Sequence, residues 1–97
     1  VNILLDTNNY LGRVVFSKAG RDKDKFFIIL SVLDDKYVYI SDGLLRNIDK
    51  PKKKKVKHLV FTNVIAEEIR NLLMSSEKVS NAMIRKILQS YDNDKEV

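Results

Sequence analysis

Two hydropathy periods divide this chain. From Arg13 to Ser41 the apolar residues follow strand spacing, and from Ile65 to Tyr91 they follow helix spacing. Gly12-Arg13-Val14-Val15-Phe16-Ser17 reads as a strand with Val14 and Phe16 on one face and Arg13, Val15 and Ser17 on the other. Phe26-Phe27-Ile28-Ile29-Leu30-Ser31-Val32-Leu33 is rich in β-branched and aromatic residues and reads as a well-buried strand. Tyr37-Val38-Tyr39-Ile40-Ser41 alternates, which places Val38 and Ile40 toward the core and both tyrosines opposite. His58-Leu59-Val60-Phe61 supplies a short closing strand. Ile65, Ile69, Leu72 and Leu73 then share one helix face, with Thr62 and Asn63 as cap candidates and Glu67 and Glu68 near the positive end of the dipole. After a break at Ser75-Ser76, Ser80 can cap a second helix with the stripe Met83, Ile84, Ile87, Leu88 and Tyr91, and Val79 can staple onto Ile84.

Turn chemistry separates these elements. Asp6-Thr7-Asn8-Asn9 is a turn-like cluster, Lys18 to Lys25 forms a loop around Gly20, Asp34-Asp35-Lys36 is a hairpin turn, and Asp42-Gly43 turns the chain before Leu44-Leu45, which is expected to pack. Residues 92–97 are polar and expected to fray. Short strands followed by helices indicate a mainly β fold with α: a small barrel over residues 10–62 and a helical appendage over 63–91, within one domain of 97 residues. A barrel this small encloses little core, so two amphipathic helices bury the apolar surface that remains.

Composition narrows the function classes. Apolar residues make up 44% and charged residues 32%, a globular balance. There is no cysteine, which excludes disulfides, thiolate metal sites and thiol nucleophiles, and a single histidine, His58, excludes zinc sites that need two imidazoles. No nucleophile–base pair or metal constellation is legible, so no catalytic residue, metal or cofactor is expected and the chain does not read as an enzyme. No apolar run is long enough to span a membrane. The opening residues Val1-Asn2-Ile3-Leu4-Leu5-Asp6 turn acidic too soon for a signal peptide. A cytoplasmic location is the expectation.

Charge is concentrated. Arg46, Lys50, Lys52, Lys53, Lys54, Lys55 and Lys57 stand against Asp49 alone, a net +6 where the whole chain carries +5, so the remaining residues sum to −1. A dense cationic segment on a nearly neutral body suits a polyanion, because multivalent phosphate contact releases condensed counterions. A solvated loop is the plainer reading, but four adjacent lysines repel one another, which weakens it. The loop cations Lys18, Arg21, Lys23 and Lys25 form a secondary candidate, offset by Asp22 and Asp24, with which Arg21 could pair. His58 is open to two readings: contact with a base or phosphate, or a hydrogen-bonded place at the barrel seam. Tyr37 and Tyr39 are expected under an appended helix, with base stacking as the alternative. Asp34-Asp35 and Glu67-Glu68 read as turn and dipole residues.

Two stretches together resemble a known family. Leu11 through Lys25, with Gly12-Arg13-Val14 and Lys18-Ala19-Gly20-Arg21-Asp22-Lys23, resembles the KOW motif. With Asp42-Gly43-Leu44-Leu45-Arg46 and Pro51-Lys52-Lys53-Lys54-Lys55-Val56-Lys57-His58-Leu59, the set is similar to the large-subunit ribosomal protein fourteen family of eukaryotes and archaea and its small bacterial relatives. The resemblance implies an SH3-like barrel and binding to ribosomal or other structured RNA, with no cofactor and no catalysis. The family often has glycine where this chain has Asp24, a residue type that tolerates left-handed φ better than most. The leading expectation is therefore a monomeric, ribosome-associated RNA-binding protein of the translation apparatus, without a membrane or small-molecule partner. The runner-up is a protein-interaction module whose barrel or helix face docks a protein.

Overall fold

A computed structural model describes residues 9–95. From Arg13 onward the elements follow in order: β1 (Arg13–Ser17), β2 (Phe26–Val32), β3 (Tyr37–Ser41), β4 (Lys52–Lys55), a 3₁₀ turn (Val56–His58), β5 (Leu59–Ile65), α1 (Glu67–Met74) and α2 (Asn81–Lys95). The strands form one sheet in the order β4-β3-β2-β1-β5, and every neighbouring pair is antiparallel. β4 and β5 lie at opposite margins, so the sheet is open in its pairing where a closed barrel was expected.

Each face of the sheet carries a buried core. On one face Val15, Phe27, Ile29, Val38, Ile40 and Leu59 form a core, joined at its edge by Tyr10, Val32, Val56 and Phe61. On the other, Val14 and Ile28 meet Ile69, Val79, Ile84 and Leu88 from the helical region. The two-sided burial explains why the β2 sequence is a nearly unbroken apolar run. An irregularity between Ile29 and Ser31 shifts the β2–β3 register, which brings Val32 opposite Val38 and onto the face of Ile29. In β1 the expected division holds in direction, but Val15 and Ser17 are as deeply buried as Val14, because each face has its own core.

The helices differ from expectation at their starts and ends. Thr62 and Asn63 do not cap α1; they belong to β5, and the Thr62 hydroxyl donates to the Val14 carbonyl at 2.7 Å. α1 starts after Ala66, and Ile65 is the last residue of the strand. The break at Ser75-Ser76 is a left-handed C-terminal cap. Ser76 has φ 55°, and the Ser76 and Glu77 amides donate to the Leu73 and Leu72 carbonyls. Ser80 caps α2 as expected, accepting from the Met83 amide at 3.2 Å, and Val79 and Ile84 share one core. α2 continues to Lys95, through part of the stretch expected to fray. The expected turn at Asp6-Asn9 lies, but for Asn9, outside the described residues, as do residues 96–97.

Candidate nucleic-acid interface

The four consecutive lysines form a strand. Asp42 and Gly43 begin the approach to it: the Asp42 carboxylate accepts from the Leu44 and Arg46 amides, and Gly43 takes φ 74°. A Cβ on Gly43 would stand 2.5 Å from the Asn81 carbonyl oxygen, so only glycine lets this turn close against α2. Arg85 donates to the Gly43 carbonyl, and the Asn81 side chain accepts from the Ile48 amide, both at 2.8 Å. The helix thereby fixes the connection that delivers β4. Leu44 and Leu45, expected to pack, are instead exposed at 66% and 77%.

β4 pairs Lys52 with Ile40, Lys53 with Tyr39, Lys54 with Val38 and Lys55 with Tyr37. Strand alternation therefore separates the lysines. Lys54 shares the face of Val38 and Ile40; it is only 8% exposed, and its ammonium donates to the Ala19 carbonyl at 2.7 Å. Lys53 and Lys55 point to the other face and are exposed, with Nζ atoms 4.7 and 6.0 Å from the centre of the Tyr37 ring. Lys50 and Lys57 are exposed as well, and Lys52 is half-buried.

Arg46 is half-buried and held by an ion pair. Its guanidinium forms a two-pronged pair with the Asp22 carboxylate at 3.2 and 3.3 Å, and Asp22 is 5% exposed. Asp22 thus pairs with Arg46, not with its neighbour Arg21, which is exposed. Lys18, Lys23 and Lys25 are exposed too. The β1–β2 loop they occupy is fastened to the basic segment at three points: Arg46 to Asp22, Lys54 to Ala19, and the Lys18 amide to the His58 carbonyl at 2.9 Å. Asp24 adopts φ 68°, so the carboxylate residue does take the left-handed conformation at the loop tip. His58 is half-buried at the end of the 3₁₀ turn. Partial desolvation, then the charges of Lys57, Lys54, Lys55 and Lys18, lower its pKa below the ordinary histidine value.

Neither Tyr37 nor Tyr39 belongs to the cluster packed by the helices; both are half-buried on the sheet face of Lys53 and Lys55. Lys36, outside the basic run of the sequence, also stands beside this group. Together with Asp35, Lys55, Val56 and Lys57 it lines a cleft of about 430 Å³, and its carbonyl accepts from the Val56 amide at 2.8 Å. Its place in a hairpin turn directly before Tyr37 was the available signal. A larger cleft of about 550 Å³ has Asp24, Asp42 and Asp92 against Lys25 and Arg85, a charge balance ill-suited to a polyanion. Among the described residues no cluster of three metal-ligating side chains occurs, and no helix is long and apolar enough to cross a membrane.

No family model matches the chain. Over 71 residues, which are 73% of this chain and 96% of the relative, it is 24% identical to a protein of Bacillus subtilis (strain 168) described as "Putative ribosome-binding protein YbzG".

Proposed function

We propose that this chain is an RNA-binding protein of the translation apparatus that associates with the ribosome through phosphate contacts. The observation that carries the reading is the exposure of Lys50, Lys53, Lys55 and Lys57. Neither ion pair among the described residues uses any of them. Cations held at the surface without carboxylate partners are available to phosphates, whose binding is driven by counterion release. Lys36, Lys52 and His58 flank this group, and the loop cations Lys18, Arg21, Lys23 and Lys25 extend it. Arg46 and Lys54 serve indirectly, fastening that loop to the segment. The likeness to a relative whose name refers to ribosome binding supports the same reading.

The strand order, with margins β4 and β5 linked by a single 3₁₀ turn, supports an SH3-like arrangement of the KOW type. The role is binding, with no cofactor, and the working form is a cytoplasmic monomer.

The test is a salt titration of binding to ribosomal RNA, paired with sedimentation alongside ribosomes. With three to five phosphates contacted, log affinity falls against log salt with a slope of about −2 to −4. Changing Lys53, Lys55 and Lys57 to Gln together flattens the slope and releases the protein from the ribosome fraction. A triple variant that binds and sediments like the parent overturns the assignment. Sedimentation that persists without any salt-dependent RNA binding would favour docking on a protein instead.

A further inference from the structure

Tyr37, Tyr39, Lys53 and Lys55 occupy a two-by-two patch. Tyr37 lies opposite Lys55 and Tyr39 opposite Lys53 on adjacent antiparallel strands, and all four side chains share one face. Both lysines are exposed and both tyrosines are half-buried, and the helix-covered cluster on the same sheet face, built on Val14 and Ile28 with Phe26 and Leu30 packed against it, includes neither tyrosine. Helical spacing in the sequence leads one to expect the tyrosines beneath those helices. In the structure they are neighbours of cations.

From this placement we infer that the patch is a stacking platform for unpaired RNA bases, with Tyr37 as the principal ring and Lys53 and Lys55 as the phosphate contacts beside it. The inference rests on the RNA-binding reading and adds the kind of RNA preferred: a single-stranded segment, loop or bulge.

An aromatic face offers nothing to a phosphate, so a purely electrostatic surface gains little from two tyrosines set among its lysines. A base, by contrast, stacks on such a face whatever its sequence. Residues on one face of a strand are spaced by roughly 6.7 Å, so Tyr37 and Tyr39 present two separate rings to successive splayed nucleotides. In the free protein the Lys53 ammonium lies 4.7 Å from the Tyr37 ring centre. An exposed cation–π contact of this kind is weaker than base–aromatic stacking, so an arriving base can displace the ammonium, which then meets the adjacent phosphate. Finally, Lys55 also lines the cleft with Lys36 and Lys57, so the backbone of a strand stacked on Tyr37 has a cationic path leading away from the ring. A continuous A-form duplex cannot use the rings, because its bases are already paired and stacked.

The experiment compares a twelve-nucleotide single-stranded RNA with an A-form duplex of the same length at one salt concentration. The full chain is used as parent, Tyr37→Leu and Tyr37→Phe. The parent is expected to prefer the single strand. Tyr37→Leu should weaken single-strand binding about tenfold, leave duplex binding within about twofold, and leave the salt slope unchanged, because no phosphate contact is lost. Tyr37→Phe keeps a ring and should stay within about twofold of the parent on both RNAs. Circular dichroism melts identify loss of folding, and Tyr39→Leu provides a second removal of a ring should Tyr37→Leu unfold. Equal affinity of the parent for both RNAs, or unchanged single-strand binding by a folded Leu variant, overturns the platform while leaving phosphate binding intact. Binding to neither RNA at low salt overturns the underlying RNA reading and the platform with it.

Discussion

Neighbouring lysines in β4 have opposite duties. Lys54 is buried and donates to the Ala19 carbonyl, which also accepts from the Ser17 hydroxyl at 3.1 Å. A hydrogen bond from a charged donor contributes about 1.5–3 kcal/mol. Lys54→Gln is therefore expected to destabilise the fold by about 1–3 kcal/mol in denaturant titrations, whereas Lys53→Gln shifts it by less than about 0.5 kcal/mol. Equal effects from the two would show that burial does not separate their roles. The same alternation makes the trio Lys53, Lys55 and Lys57 a better probe of binding than the block 52–55, which combines a folding defect with a binding one. His58 adds a pH signature. Its folded-state pKa lies below the unfolded value of about 6.5, so the unfolded chain takes up a proton first as pH falls. Stability attributable to His58 is thus complete above about pH 6.5 and lost as pH falls toward the depressed folded value. His58→Gln should remove that part of the pH dependence in melts across pH 5–8, and an NMR titration of the imidazole should give a midpoint below the free-histidine range. A midpoint at or above that range would contradict the charge arrangement around it.

At the level of elements, the helices act as the second half of a two-sided core. Ile69 and Ile84 are fully buried against Val14 and Ile28, and each such side chain contributes about 1.5–3 kcal/mol by leaving water. A chain ending at Ala66 loses that cover, and the sum exceeds the reserve of a small domain. It is expected to be unfolded or aggregated by circular dichroism and sedimentation; a folded, soluble monomer would show the helices to be a separable arm. Much of this organisation was legible because period and turn chemistry are local. The β2 run, the alternation of β3 and the cap at Ser80 could all be read from a few adjacent residues. The start of α1 could not. Thr62 and Asn63 have good capping side chains, but β1 offers their stretch a strand partner, and long-range pairing outweighed local preference. Lys52–Lys55 concealed a strand for a similar reason: lysine has poor strand propensity, and only pairing with Tyr37–Ile40 gives the segment its form. The basic stretch itself was visible as composition. Which of its members face solvent was not, because that depends on which sheet face each lysine takes. The same limit hid Leu44 and Leu45 at the surface and the rings of Tyr37 and Tyr39 among cations.

For the whole molecule, the lysine strand has a bearing on colloidal behaviour. β4 has a partner, β3, on one side only, and its other side is a sheet margin. An unprotected margin is a template on which a strand from another molecule can add, and the exposed ammonium groups of Lys53 and Lys55 are an effective barrier because like charges repel. That barrier is electrostatic and belongs to the ionic surroundings as much as to the chain. Multivalent anions that neutralise Lys53 and Lys55 also lower the repulsion between molecules gathered on one polyanion. On the proposed polyanion-binding reading, solubility and occupancy are coupled through the same side chains: the dispersed protein is protected by the charges that binding would screen, and molecules crowded along a polyanion would lose that protection together.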